Sequence, residues 1–173
     1  ASCSDIAGAT GLDHVLSPAD VGLRLRIVVT ATNAGGTATA ESAPSSVVPA
    51  VPPDTTDTPA IHGGPVREGV TLTGTAGNWS GTAPITVGYQ WERCKEPGAS
   101  SCPKISGAVR QTYTPTATDV GSFLRLTVTA VNSGGKATRS SVPVGPVEGL
   151  APVNVVAPAV RASAIKVGGT LTA

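Results

Sequence analysis

Methionine is absent from this 173-residue chain, aromatic residues make up only 3% of it, and charge of neither sign predominates. Each shortage excludes something. The 12 basic and 11 acidic side chains form no block of like charge, so the basic footprint of a nucleic-acid binder is missing. No apolar run approaches the roughly 20 residues that span a bilayer, and membrane insertion of this stretch is not expected. No basic segment followed by an apolar one opens the chain, so no signal peptide is read. Translation normally starts with methionine, and its absence leads us to expect a piece of a longer protein. In contrast, 21 glycines and 15 prolines punctuate the sequence, too often for long helices, while 40% hydrophobic content is enough for a packed core.

The chain repeats itself. DVGLRLRIVVTATNAGGTAT at residues 20–39 returns as DVGSFLRLTVTAVNSGGKAT at residues 119–138. Cys3 aligns with Cys102, Asp20 with Asp119, Pro59 with Pro158 and Leu72 with Leu171, always at an offset of 99. That period is too long for a solenoid unit of about 20 to 50 residues and suits an autonomous domain of about 100. The expected organisation is the back half of a first repeat (1–50), one complete repeat (51–149) and the opening strands of a third (150–173). The joints, residues 45–60 and 142–158, are proline-rich. Such segments stay extended and semi-rigid, at about 3.1 Å per residue in the polyproline form, and part of each joint is expected to double as a terminal strand.

Within the complete repeat, apolar residues alternate with polar ones over short stretches. VTLTGTAG puts Val70, Leu72 and Gly74 on one face; ITVGYQWERC does so with Ile85, Val87, Tyr89 and Trp91; FLRLTVTAVN does so with Leu124, Leu126, Val128 and Ala130. Each inward row needs a facing sheet, and no helical segment intervenes. An all-β, antiparallel β-sandwich is the expected fold.

The words GNWSG, YQWERC, C-x-x-I-x-G-A from Cys102 and D-V-G-x-x-L-R from Asp119, in this order and spacing, resemble the immunoglobulin-like repeats found in tandem in large secreted or surface proteins of high-GC bacteria. The resemblance covers essentially the whole chain. It implies an immunoglobulin-like sandwich with Trp91 on strand C, an Asp-x-Gly corner and strand F behind it, in an extracellular setting. One departure is plain: Leu72 and Leu126 or Val128 stand where antibody domains carry their inter-sheet cysteines. The cysteines sit instead at the ends of CKEPGASSC. With Pro97 and Gly98 forming a turn and an extracellular setting implied, a disulfide between Cys94 and Cys102 is the expected pairing; a pair of reduced buried thiols is the alternative. Cys3, the copy of Cys102, would find its partner before residue 1.

Catalytic constellations do not assemble, and no enzyme, cofactor or metal is expected. GNWSG has its serine in the wrong place for a nucleophile elbow, and GGKAT lacks both the first glycine and the hydroxyl of a phosphate-binding loop, reading better as a hairpin turn. Asp20 and Asp119 are read as caps of the turn before strand F. His14 and His62 are read as surface or edge residues, and Asp54 with Asp57 falls short of a calcium ligand set. Core roles are expected for Leu72, Tyr89, Trp91, Leu124, Leu126 and Val128. Trp79, in a turn between two glycines, is the one candidate ligand contact, either stacking on a sugar or folding back over the sandwich. Two functions follow: a structural spacer or adhesive stalk whose partners are neighbouring repeats, or an accessory module binding cell-surface polysaccharide or another surface protein.

Overall fold

Strands β1 (Val28–Asn33) and β2 (Gly36–Glu41) pair as an antiparallel hairpin, and six further strands follow: β3 (Ala60–Gly63), β4 (Leu72–Thr75), β5 (Thr86–Cys94), β6 (Thr112–Tyr113), β7 (Phe123–Asn132) and β8 (Gly135–Ser140). The computed structural model describes residues 3–159 and Val167; most of the expected third repeat, residues 160–166 and 168–173, lies outside them. The only helical elements among the described residues are single 3-10 turns, Pro18–Asp20 and Ala117–Asp119. Among the described residues the fold is all-β, and every pair of the named strands is antiparallel.

After the first hairpin, two three-stranded sheets form, ordered β3-β4-β6 and β5-β7-β8. Their facing rows meet in one core of Leu72, Trp91, Ala108, Leu124, Leu126, Val128 and Val147, with Tyr89, Tyr113 and Trp79 packed against it. The period-2 pattern of the sequence is the physical cause. On β7, Leu124, Leu126, Val128 and Ala130 are fully buried while Arg125, Thr127 and Thr129 are only partly so, because successive side chains of a strand point to opposite faces. On β5 the inward row is sealed less evenly: Trp91 is fully buried, Tyr89 partly so, and Val87 near its start is exposed. Trp91 pairs with Leu126 across the strands and donates its indole N–H to the Arg110 carbonyl at 2.9 Å, so a fully buried indole keeps no unpaired polar atom.

Two glycines are fixed by close approach. A β-carbon at Gly74 would lie 2.3 Å from Leu126 Cδ2; β4 presses its backbone directly onto the opposite sheet there. A β-carbon at Gly134, in the turn between β7 and β8, would meet backbone atoms of Val51 and Pro52 at 2.8 Å. That contact belongs to a larger anchor. Asn132 donates from its amide to the carbonyls of Val51 and Thr82, both at 2.8 Å, and accepts from Gly134 N–H.

Part of each proline-rich joint is built into the folded units. Val48 exchanges backbone hydrogen bonds with Gly22 and Leu23, and Ser45 bonds to Leu25. Only Pro49 and Ala50 separate Val48 from Val51, whose N–H donates to Thr82 Oγ1. Further on, Val144 pairs with Leu124, Val147 with Gly121 and Ser122, and Glu148 with Val66. The free part of the joint between residues 45 and 60 is therefore far shorter than its composition implies, because extended proline-rich backbone can still use its non-proline N–H and C=O groups in a ladder.

Candidate functional site

The most connected polar group is the carboxylate of Asp119, which is fully buried. It sits at the end of the turn Ala117–Asp119, and its Oδ2 accepts from Thr116 N–H at 2.7 Å, Thr116 Oγ1 at 3.0 Å and the Tyr113 hydroxyl at 2.7 Å. Its Oδ1 accepts from Arg93 Nε at 2.8 Å and Nη2 at 2.6 Å. Arg93 comes from β5, Tyr113 from β6 and Asp119 from the approach to β7, so one carboxylate ties both sheets together. Tyr113 also stacks on Trp91, with ring centroids 5.6 Å apart, which joins the ionic knot to the apolar core.

Charges follow from this geometry. Burial by itself would raise the Asp119 pKa, but the hydrogen bonds from the Thr116 backbone, Tyr113 and Arg93 outweigh it and hold the group below its ordinary 3.8. Burial, reinforced by donation to Asp119, pushes Tyr113 from 10.0 to about 12. The linkage signs differ. Asp119, with a lowered folded pKa, contributes stability that is present above about pH 4 and is lost as pH falls through its folded pKa. Tyr113, with a raised one, contributes stability that is complete below pH 10 and is lost between pH 10 and about 12. Urea unfolding across pH is expected to show a plateau between these edges, and Tyr113→Phe should remove the alkaline decline while leaving the acid one.

The same turn occurs earlier with different company. Asp20 Oδ2 accepts from Ser17 N–H at 2.7 Å and Ser17 Oγ at 2.9 Å, and His14 Nε2 lies 3.2 Å away. Hydrogen bonding from Ser17 lowers the Asp20 pKa. His14 thus takes the place that Tyr113 holds near Asp119, whereas His62 is an exposed residue of β3 opposite Thr73.

A second knot lies on the outer face of β5. Glu92, though 7% exposed, pairs with Arg125 of β7 at 2.8 Å. Arg125 also donates to the carbonyls of Ala99 and Ser100, inside the loop closed by the disulfide between Cys94 and Cys102, whose Cα atoms are 4.6 Å apart. The bond holds the segment after the loop against the β5 edge, where Arg93 N–H bonds to Pro103 and Ile105 N–H to Trp91. Closing a nine-residue loop stabilises by about 2 to 3 kcal/mol on the chain-entropy account. A Cys94→Ala/Cys102→Ala double variant is expected to lose about that much in urea unfolding, and reducing agent should bring the parent to the same midpoint. Cys3 is a free, exposed thiol.

Trp79 lies in the turn after β4, where Ser80 bridges to Asp54. It is partly buried against the core, and its indole N–H donates to the Ala76 carbonyl at 3.1 Å. The carboxylates nearby are used in the same way: Asp57 accepts from Asn78 N–H and Nδ2, both at 2.9 Å, and Asp54 accepts from Thr55 N–H and pairs with Arg139. No buried side-chain nitrogen or oxygen among the described residues lacks a partner. Arg93, Tyr113 and Glu92 carry the polar architecture, and pattern reading on apolar rows passes over them; the one signal was the placement of Arg93 and Glu92 immediately beside Trp91.

No protein-family model matches the chain, and no curated protein matches it significantly.

Proposed function

We propose that residues 51–149 are one immunoglobulin-like bead of a tandem array of period 99, flanked by residues 1–50 and 150–173 of neighbouring beads. In this reading the chain is a non-catalytic extracellular spacer or stalk of a large secreted or surface-anchored bacterial protein, of the adhesin kind. One observation carries it. Val51 is held at the Asn132 end of β7, and Val147 at the Ser122 end, by its backbone bond to Ser122 at 2.8 Å. The chain therefore arrives at one pole of a ten-residue strand and leaves at the other, a span of about 33 Å at the rise of an extended strand. Beads joined in that way add length with each copy, and a joint as short as Pro49 and Ala50 limits bending.

The disulfide supports an oxidising, extracellular setting, and neighbouring beads are the first partners. The alternative, a module binding polysaccharide or a surface protein, depends chiefly on Trp79, whose N–H is already taken by Ala76 and whose ring packs inward. Small-angle scattering on chains of one, two and three beads tests the proposal. The maximum dimension is expected to grow by about 30 to 35 Å per bead; a dimension that does not grow regularly would overturn the stalk. A glycan array comparing the chain with its Trp79→Ala variant decides on the alternative, since binding lost in the variant would establish a ligand module.

A further inference from the structure

β1 and the stretch leading into it carry the row Leu25, Ile27, Val29 and Ala31, which matches Leu124, Leu126, Val128 and Ala130 at the offset of 99. In β7 that row is sealed by the opposite sheet. Here Ile27 is 62% and Val29 60% exposed. Three polar positions around the row are also without the partners that their counterparts have. Cys102 is bonded to Cys94, but Cys3 is free. Asp119 holds Arg93 on Oδ1, but among the described residues Asp20 accepts hydrogen bonds on Oδ2 alone. Arg125 pairs with Glu92, but Arg26 turns to Glu41 on its own hairpin.

The missing partners converge on one stretch. Trp91, Glu92, Arg93 and Cys94 are consecutive, and β5 sets them against Leu126, Arg125, Leu124 and Phe123 in turn. We propose that the free edge of β1 and of the stretch leading into it seats an antiparallel strand bearing the pattern Trp-Glu-Arg-Cys, contributed by a segment of the residue 51–99 type whose earlier strands close over the exposed row, as β4 closes over that of β7. The tryptophan of the seated strand lies beside Ile27, its glutamate meets Arg26, its arginine meets Asp20 and its cysteine bonds Cys3. A shallow depression of about 550 Å³ at Asn33, Gly35 and Gly36 receives the start of that segment, as the turn at Asn132 and Gly134 receives Val51 and Pro52. A second copy of this chain fits poorly. Its residues 150–173 correspond only to residues 51–74, and the strand with the required pattern is already buried in its own core.

This inference rests on the repeat reading. It is tested by copying residues 51–99 directly in front of residue 1, which continues the register unbroken, and comparing the extended chain with the parent. Non-reducing peptide mapping is expected to show Cys3 bonded to the added copy of Cys94, and amide exchange at residues 25–31 should slow by at least about tenfold, since exchange reports local opening. A free Cys3 with unchanged exchange at those residues would overturn the proposal. In the extended chain, Ile27→Asp should abolish the gained protection while residues 124–130 stay protected; a gain that survives Ile27→Asp would place the added segment elsewhere. Residues 25–31 already protected in a dimeric parent would assign the edge to a second copy and likewise overturn it. Protection of residues 124–130 in the parent reports separately on whether the complete bead itself is folded.

Discussion

Trp91→Ala is expected to destabilise the fold by about 3 to 5 kcal/mol, the range for deleting a large aromatic from a packed core. The indole is fully buried, stacks on Tyr113 and donates to the Arg110 carbonyl. Its loss leaves a cavity between the two sheets and removes the donor to the Arg110 carbonyl. Neighbours on β7 cannot collapse into the gap, because Leu126 is already wedged against the Gly74 backbone. With total stabilities of 5 to 15 kcal/mol typical of a domain, the variant should be partly or wholly unfolded at room temperature, read as lost near-ultraviolet circular dichroism and a lowered urea midpoint. A loss below about 1 kcal/mol would mean that the core lies elsewhere.

Asp119→Ala is expected to cost about 3 kcal/mol or more. The substitution removes the acceptor for five hydrogen bonds at once, and the Thr116 N–H, the Tyr113 hydroxyl and the Arg93 guanidinium must find water or go unpaired. Arg93 retains some access to solvent, with a side chain 34% exposed, which limits its share of the loss. Asp119→Asn keeps an acceptor for Thr116 but loses the charge facing Arg93, so it should fall between alanine and the parent. It should also lose the share of the acid-side decline in stability that belongs to Asp119, leaving that of Asp20, whose carboxyl Ser17 holds low as well. Equal effects of alanine and asparagine in urea unfolding would contradict an ionic role.

The apolar architecture was legible in the sequence because strand periodicity is rigid: the alternating rows of β4, β5 and β7 follow directly from Leu72, Trp91 and Leu124 to Ala130. Turn chemistry was legible for the same local reason, with Asp119 capping the turn two residues before Gly121. Long-range polar pairings were not. Arg93 and Asp119 are separated by 26 residues and Glu92 and Arg125 by 33, and no period links them; only the fold brings them together. Which joint residues would enter the ladders was not legible, because proline content reports backbone stiffness and says nothing of whether the intervening N–H groups are used. The role of His14 beside Asp20 was visible only as its alignment with Tyr113, a match between two chemically different rings that gains meaning once the tyrosine is seen to donate to the aspartate.

The proposed stalk depends on residues 51–149 being a self-sufficient unit with its own core. Urea unfolding of that segment produced alone, followed by both tryptophan fluorescence and far-ultraviolet circular dichroism, tests this most directly. The account predicts one coincident cooperative transition within about 1 kcal/mol of that seen in the intact chain, since distant and independent units contribute separately. A segment that unfolds without cooperativity, or whose two probes diverge while the intact chain's coincide, would show that the core extends across the joint at Pro49 and Ala50.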